Sequence, residues 1–335
     1  MNFQGLATIE NPDFYLEIAR ERADKRAAEL RSRSYRDKLT KSKEIELSRI
    51  TAFSAYLENS LTTILKSFPN IDDLPEFYFN LVQVTLDYAK LKKSFGALNW
   101  VLIRIIELRK EYLKKITRAL TPHSINLLRK EFFGRISSFL YQIKEELLYL
   151  ESARKVMLGY PSIKTKLPTI TIAGFPNVGK TTLLAKLTSS TPEINSYAFT
   201  TKGINVGYIK TPYTKIQVLD TPGTLNRENK MNSIEMQAYL AMKYLAWVIV
   251  YVFDPTETYP LLKQIKLFLR LKELDKPVVC YLSKTDMVSK KELDLFINKI
   301  SQHIKEHEIS FNAEDLNKKI INLIKKLSGE TKDDF

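Results

Sequence analysis

The chain has 335 residues, with 52 Lys and Arg against 38 Asp and Glu, a formal net charge of +14 and 44% hydrophobic residues. That apolar share excludes a mainly disordered chain, and the length suggests two domains. A single cysteine, Cys280, excludes an intramolecular disulfide and a cysteine-based zinc cage, and the longest unbroken apolar run, Leu245 to Phe253, is about half of what crosses a bilayer as a helix.

Residues 1–13 hold no basic stretch followed by an apolar block, so no signal peptide is expected, and a reducing, cytoplasmic location follows. From Pro12 to Leu158 glycine is scarce and helix formers dominate, with breaks at Phe68-Pro69-Asn70, Leu74-Pro75, Ser94-Phe95-Gly96 and Thr121-Pro122. These breaks predict four helices packed as an antiparallel bundle. The first is basic, with Arg20, Arg22, Lys25, Arg26, Arg31, Arg33, Arg36, Lys38, Lys41 and Lys43 crowded into one segment. Such a run is either a solvated face or a phosphate-facing surface. Aromatics are few here, so an RNA partner would be met through its backbone more than by stacking. The last helix has Thr121 as its cap, Pro122 at the first helical position, and an apolar stripe through Ile125, Leu128, Phe132, Ile136, Phe139, Ile143, Leu147 and Leu150.

After Gly159-Tyr160-Pro161 the pattern changes to short β-branched runs at Thr169–Ala173, Ile216–Leu219, Trp247–Phe253 and Pro277–Leu282, separated by helical stretches. This rhythm predicts a mainly parallel sheet covered by helices. The domains are therefore expected at 1–160, a basic helical bundle, and 161–335. Trp100, Trp247, Tyr251 and Phe253 read as core, while His303 and His307 read as a solvated pair on a surface helix.

Gly174-Phe175-Pro176-Asn177-Val178-Gly179-Lys180-Thr181 fits GxxxxGK[ST] between a strand and the helical Thr182-Leu183-Leu184. Its glycines let backbone N–H groups wrap phosphates, Lys180 brings charge to the terminal phosphates, and Thr181 can ligate Mg²⁺. Asp220-Thr221-Pro222-Gly223 follows a strand, where Asp220 can hold the metal, here through water, and Gly223 can meet a γ-phosphate. Ser283-Lys284-Thr285-Asp286 resembles the NKxD motif of GTPases with Ser replacing Asn. Asp286 would accept two hydrogen bonds from guanine, which adenine cannot supply, and the Lys284 stem would cover the base. Between these motifs, Thr200 and Thr201 compete to complete Mg²⁺ coordination in a triphosphate-dependent switch. The remaining guanine-side loop is expected near Ser310-Phe311-Asn312-Ala313.

Gly174 to Thr182, Tyr197 to Lys202, Asp220 to Gly223 and Asn232-Ser233-Ile234-Glu235-Met236-Gln237 together resemble the nucleolar GTP-binding protein (Nog) branch of the Obg-like GTPases. Asp87-Tyr88-Ala89 and Leu150-Glu151-Ser152-Ala153-Arg154 extend the resemblance upstream, to the short, archaeal type of that family. It implies a helical bundle followed by a P-loop GTPase domain, using GTP or GDP and Mg²⁺, with Thr201 favoured as the switch threonine and Lys180, Thr201 and Gly223 as the catalytic set. It also implies a monomeric assembly factor for the large ribosomal subunit, meeting precursor rRNA, ribosomal proteins or other assembly factors, and no membrane. Thr224 stands where many small GTPases place glutamine, which implies slow intrinsic turnover. Asn177 occupies a P-loop position that holds K⁺ in some related GTPases. Two other readings compete: an RNA-binding scaffold with a structural, unhydrolysed guanine nucleotide, and a signalling GTPase, for which no lipidation motif or anchor speaks.

Overall fold

The computed structural model describes residues 2–188, 204–211, 215–221, 233–305 and 308–329. Residues 3–73 and 82–158 form one compact unit, and residues 74–81 group with 159–335 in the other.

The first unit is built from α1 (Pro12–Arg31), α2 (Lys38–Ser67), α4 (Tyr88–Arg118), α5 (Pro122–Gln142) and α6 (Lys144–Leu158), with α3 (Glu76–Thr85) divided between the units. Ala19, Ala23 and Ala27 are fully buried at four-residue spacing, so α1 lies close on α2. The long helix α2 then packs on α4 and α5 through Ile50, Phe53, Leu57 and Leu61. Phe53 stacks on Phe133, with ring centroids 4.3 Å apart, and meets Phe132 edge-on. Six α-helices replace the four expected: a break falls at residues 86–87, where the Asp87 side chain caps α4 by accepting from the Lys90 N–H, and three other places differ. The basic segment breaks at residues 32–37, where the Asp37 side chain caps α2 by accepting from the Thr40 N–H. At Ser94-Phe95-Gly96 no break occurs, because one helical glycine costs about 1 kcal/mol and the buried Leu91, Leu98, Val101 and Ile105 of α4 outweigh it. At Ile143 the last helix does break, although the apolar stripe continues through buried Ile143, Leu147 and Leu150. Thr121 caps α5 as expected, accepting from the Ser124 N–H, with Pro122 opening the helix.

The second unit carries a six-stranded sheet of order β2-β3-β1-β4-β5-β6. Its strands are β1 (Thr169–Ala173), β2 (Asn205–Lys210), β3 (Lys215–Asp220), β4 (Val248–Phe253), β5 (Val278–Leu282) and β6 (Ile309–Ser310). All pairings are parallel except β2 with β3. Helices α7 (Lys180–Leu187), α8 (Ser233–Tyr244), α9 (Leu261–Lys272), α10 (Lys290–Ile300) and α11 (Ala313–Ser328) complete the unit. Every residue of β1 and β4 is buried, as two-sided helical cover requires. Tyr251 and Phe253 are core, packed against Phe268, and the Cys280 thiol is buried, which pushes its pKa up.

Two tryptophan and histidine expectations change. Trp100 is 39% exposed, resting edge-on against Phe139 on the bundle surface, whereas Trp247 packs half-buried on the sheet core. His303 lies in the turn after α10 rather than on a helix, and His307 lies outside the described residues. Among the described residues no helix is long and apolar enough to cross a membrane.

Candidate functional site

β1 lies between β3 and β4, so the chain leaves the sheet on opposite sides of it, and a crevice opens at the C-terminal strand ends. Ile172 pairs with Asp220 across β1 and β3, and Ala173 with Tyr251 across β1 and β4. The loop 174–179, the start of the 220–223 motif and the end of β4 are thereby brought together. Thr221 reinforces the first junction, since its N–H and its hydroxyl both donate to the Ile172 carbonyl.

Loop 174–179 uses its glycines for definite reasons. Gly174 has φ +145°, and a Cβ there would come 2.8 Å from the Val252 carbonyl oxygen. Gly179, at φ +92°, turns the chain into α7, whose first-turn N–H groups face the loop. Asn177 is also left-handed, at φ 61°, a backbone that asparagine tolerates better than most residues with a Cβ. Lys180 is 7% exposed and folds back so that its Nζ donates to the Phe175 carbonyl at 2.7 Å.

Asp220 emerges from β3 beside the first turn of α7. Its Oδ2 accepts from the Thr181 hydroxyl at 2.6 Å and from the Asn205 side-chain amide at 3.2 Å. Its Oδ1 is buried and has no hydrogen-bond partner. Burial raises the Asp220 pKa, although Thr181, Lys180 and Asn205 all favour the charged form. A buried carboxylate oxygen without a donor, next to a threonine hydroxyl and a lysine, suits a divalent cation carried in with phosphate oxygens. No cluster of three His, Cys, Asp or Glu capable of holding a metal occurs among the described residues.

On the other side of β1, Ser283-Lys284-Thr285-Asp286 follows β5 directly. Ser283 donates both its N–H and its hydroxyl to the Phe253 carbonyl, each at 3.0 Å, and its Cβ would lie 3.6 Å from a Cβ on Gly179. Asp286 is exposed at the mouth of the crevice, in a 3-10 turn over Thr285–Met287. Phe311 is half-exposed after β6, and Asn312 caps α11 by accepting from the Asp315 N–H.

The structure therefore gathers Gly174, Phe175, Pro176, Asn177, Val178, Gly179, Lys180, Thr181, Thr182 and Asp220 at one end of the sheet, with Ser283, Lys284 and Asp286 across the crevice. Thr200, Thr201 and Gly223 lie outside the described residues, as does Thr224. Two residues that the sequence reading passed over join the site: Asn205, paired with Asp220 in the β2–β3 register, and Asp254, directly after β4. The one available signal for Asp254 is its position, an acid ending an apolar strand just as Asp220 does.

Comparison with known proteins gives a consistent result. The model of the NOG1 N-terminal helical domain matches residues 3–164, and that of the 50S ribosome-binding GTPase matches residues 169–284. An uncharacterized protein of Methanocaldococcus jannaschii is 40% identical over 295 residues, covering 87% of this chain and 83% of that protein. Nucleolar GTP-binding protein 1 of Candida glabrata is 31% identical over 274 residues, covering 80% of this chain but only 42% of its own length. Among solved structures, Era from Aquifex aeolicus, crystallised with GDP and AlF4⁻, is 28% identical with a TM-score of 0.38, covering 47% of this chain and 57% of that one.

Proposed function

We infer that this chain, which belongs to the nucleolar GTP-binding protein (Nog) family, is a GTP-hydrolysing switch that docks on rRNA of the large ribosomal subunit during its assembly. The observation that carries the nucleotide half is the cluster of Lys180, Thr181 and Asp220, with its orphaned buried Oδ1, at the strand ends beside a glycine loop. Lys180 would exchange the Phe175 carbonyl for phosphate oxygens, and the Thr181 hydroxyl would turn from Asp220 toward a cation, which in turn would meet Asp220 through water. Held by Thr181 and Asp220, Mg²⁺ would neutralise phosphate charge. Thr201 would join it only with triphosphate, which makes switching depend on the γ-phosphate. Asp286 would select guanine.

The RNA half rests on charge. Arg20, Arg22 and Arg26 are exposed along α1, flanking the buried alanine stripe of the same helix, where they can meet phosphates. With Thr224 after Gly223, water orientation must come from a partner, which favours slow intrinsic turnover stimulated by ribosomal particles. Asn177 can add a K⁺ ion beside the phosphates.

Co-sedimentation with large subunits in GDP and in a non-hydrolysable GTP analogue, alongside turnover in KCl and NaCl at equal ionic strength, tests these points. GTP-dependent binding and subunit-stimulated hydrolysis are expected. Equal rates in the two salts would remove the K⁺ role, and nucleotide-independent binding with no turnover would favour the scaffold reading.

A further inference from the structure

The β4 end holds a buried acid for which neither the phosphate side nor the base-reading motif has a use. Asp254 is fully buried. Its Oδ1 accepts from the Thr256 N–H at 3.0 Å and the Thr256 hydroxyl at 2.6 Å, and its Oδ2 accepts from Lys284 Nζ at 2.6 Å. Gln264, also fully buried, brackets the same residue from α9: its Oε1 accepts from the Asp254 N–H and its Nε2 donates to the Asp254 and Tyr259 carbonyls. Tyr259 then stacks on Phe175 of the glycine loop at 4.5 Å. Burial pushes the Asp254 carboxyl up, but the Lys284 and Thr256 bonds more than offset this and leave it lowered, hence ionised at neutral pH.

The opposite side of this pair is the base-side loop. Lys284 sits at φ 50°, in the left-handed region that a residue with a Cβ avoids unless something holds it. The motif residue before it is Ser283 rather than asparagine. Its hydroxyl spends its donor on the Phe253 carbonyl, and it has no second arm to reach the glycine loop. Another tether is therefore needed, and a buried carboxylate is in contact with the one side chain of the loop that spans toward it.

We propose that Asp254 is a positioning residue for guanine-nucleotide binding: by fixing the Lys284 ammonium it sets the Lys284 stem across the base and anchors loop 283–286, the task an asparagine at 283 would share. The proposal rests on the nucleotide-site reading above. Asp254 touches no nucleotide. It acts through Lys284, so its influence belongs to the base side and leaves the phosphate side alone.

Equilibrium titration with a fluorescent GDP analogue tests this in wild type, Asp254→Asn, Lys284→Gln and the double variant, with inorganic triphosphate as competitor to report the phosphate side separately. A wild type that binds neither ligand would remove the nucleotide-site reading itself, whatever Asp254 does. Given binding, Asp254→Asn, which keeps an acceptor for Thr256, should weaken GDP about tenfold, the scale of one hydrogen bond to a charged group. Inorganic triphosphate should compete as in wild type, and the double variant should be no weaker than Lys284→Gln alone. Unchanged GDP affinity in Asp254→Asn, a double variant whose loss is the product of the two single losses, or equal losses of GDP and triphosphate would each overturn the proposal. Should Asp254→Asn lack a cooperative melt, Thr256→Val takes its place: it removes one donor to Oδ1 while leaving the charge paired. About threefold weaker GDP with unchanged triphosphate is then expected, as for a partial loss of restraint, and unchanged GDP overturns the proposal.

Discussion

Both units bury charged groups, but to different ends. In the helical unit Glu46 and Arg49 are buried together on one turn of α2, with Arg129 and Asp24 completing the set. Each charge has an opposite charge within the same unit, although Glu46 Oε2, Arg49 Nε and Arg129 Nε are buried without a hydrogen bond. In the sheet unit two buried acids stand at the C-terminal ends of β3 and β4, Asp220 with an orphaned oxygen and Asp254 holding the lysine of the base-side loop. What separates the two sets is their place: ion pairs between the helices of the bundle hold a scaffold together, whereas acids at the strand ends stand beside the glycine loop and the base-side loop, where a ligand can use them. Mutations should therefore separate the units, with stability lost in one and affinity in the other.

The largest expected effect is in the scaffold. Glu46→Ala leaves two guanidiniums without their shared carboxylate, Arg49 at 2.9 Å and the less buried Arg129 at 3.5 Å. Breaking a buried pair from one side costs about 3 kcal/mol or more. Chemical denaturation should show that loss while GDP affinity of the folded protein stays as in wild type. A matching fall in affinity would break the comparison. Next in size is Lys180→Ala, which removes the charge delivered to the terminal phosphates and should weaken GTP about 100-fold, the upper end for charge-assisted hydrogen bonds. A fluorescent GTP analogue would measure this, and near-normal affinity would remove the P-loop assignment. Melting without nucleotide should change far less than in Glu46→Ala.

How much of this was legible beforehand follows the same division. The glycine loop, Asp220 and the Ser283–Asp286 motif stand out because phosphate and guanine recognition demand particular residues at fixed spacing. Asp254 did not, since an acid followed by proline after a strand reads as a turn, and only the β4–β5 register brings it against Lys284. In the bundle, the periodicity of apolar residues located the helices but hid their ends. The stripe passes through Ile143 without pause although the helix does not, and the run of cations from Arg20 to Lys43 masks the break at 32–37. Strand β6 has two residues, too few for alternation to show, and β2 contains Gly207, whose added Cβ would come 2.5 Å from Thr188 Cγ2. That glycine is required by close approach, which no local pattern reveals.

The exposed face of α1 offers a gentler test. Arg20, Arg22, Arg26 and Arg31 changed together to Gln should weaken large-subunit binding and flatten its salt dependence by about 3 in slope if each meets one phosphate. Arg22 lies over the Tyr56 ring and Arg26 pairs with Glu29, so the variant also needs a melting control. Subunit binding that keeps the wild-type salt slope would show that α1 is a solvated face.

The smallest effect is the most discriminating about cooperation between the two kinds of structure. Thr121 lies at the start of α5, and its hydroxyl oxygen accepts from the Ser124 N–H at 3.2 Å and donates to the Ser124 hydroxyl at 3.1 Å. Thr121→Ala removes a helix cap on the protein surface and should cost about 1 kcal/mol, felt only by the helical unit. GDP should stabilise only the unit that binds it, in proportion to the logarithm of its concentration over Kd. If the units unfold separately, calorimetry should show two transitions, one lowered by Thr121→Ala and unmoved by GDP, the other raised by GDP and indifferent to the variant. A single transition moved by both would mean that the helical unit and the nucleotide site share one folding equilibrium, and GDP would then have to restore what the missing cap removes.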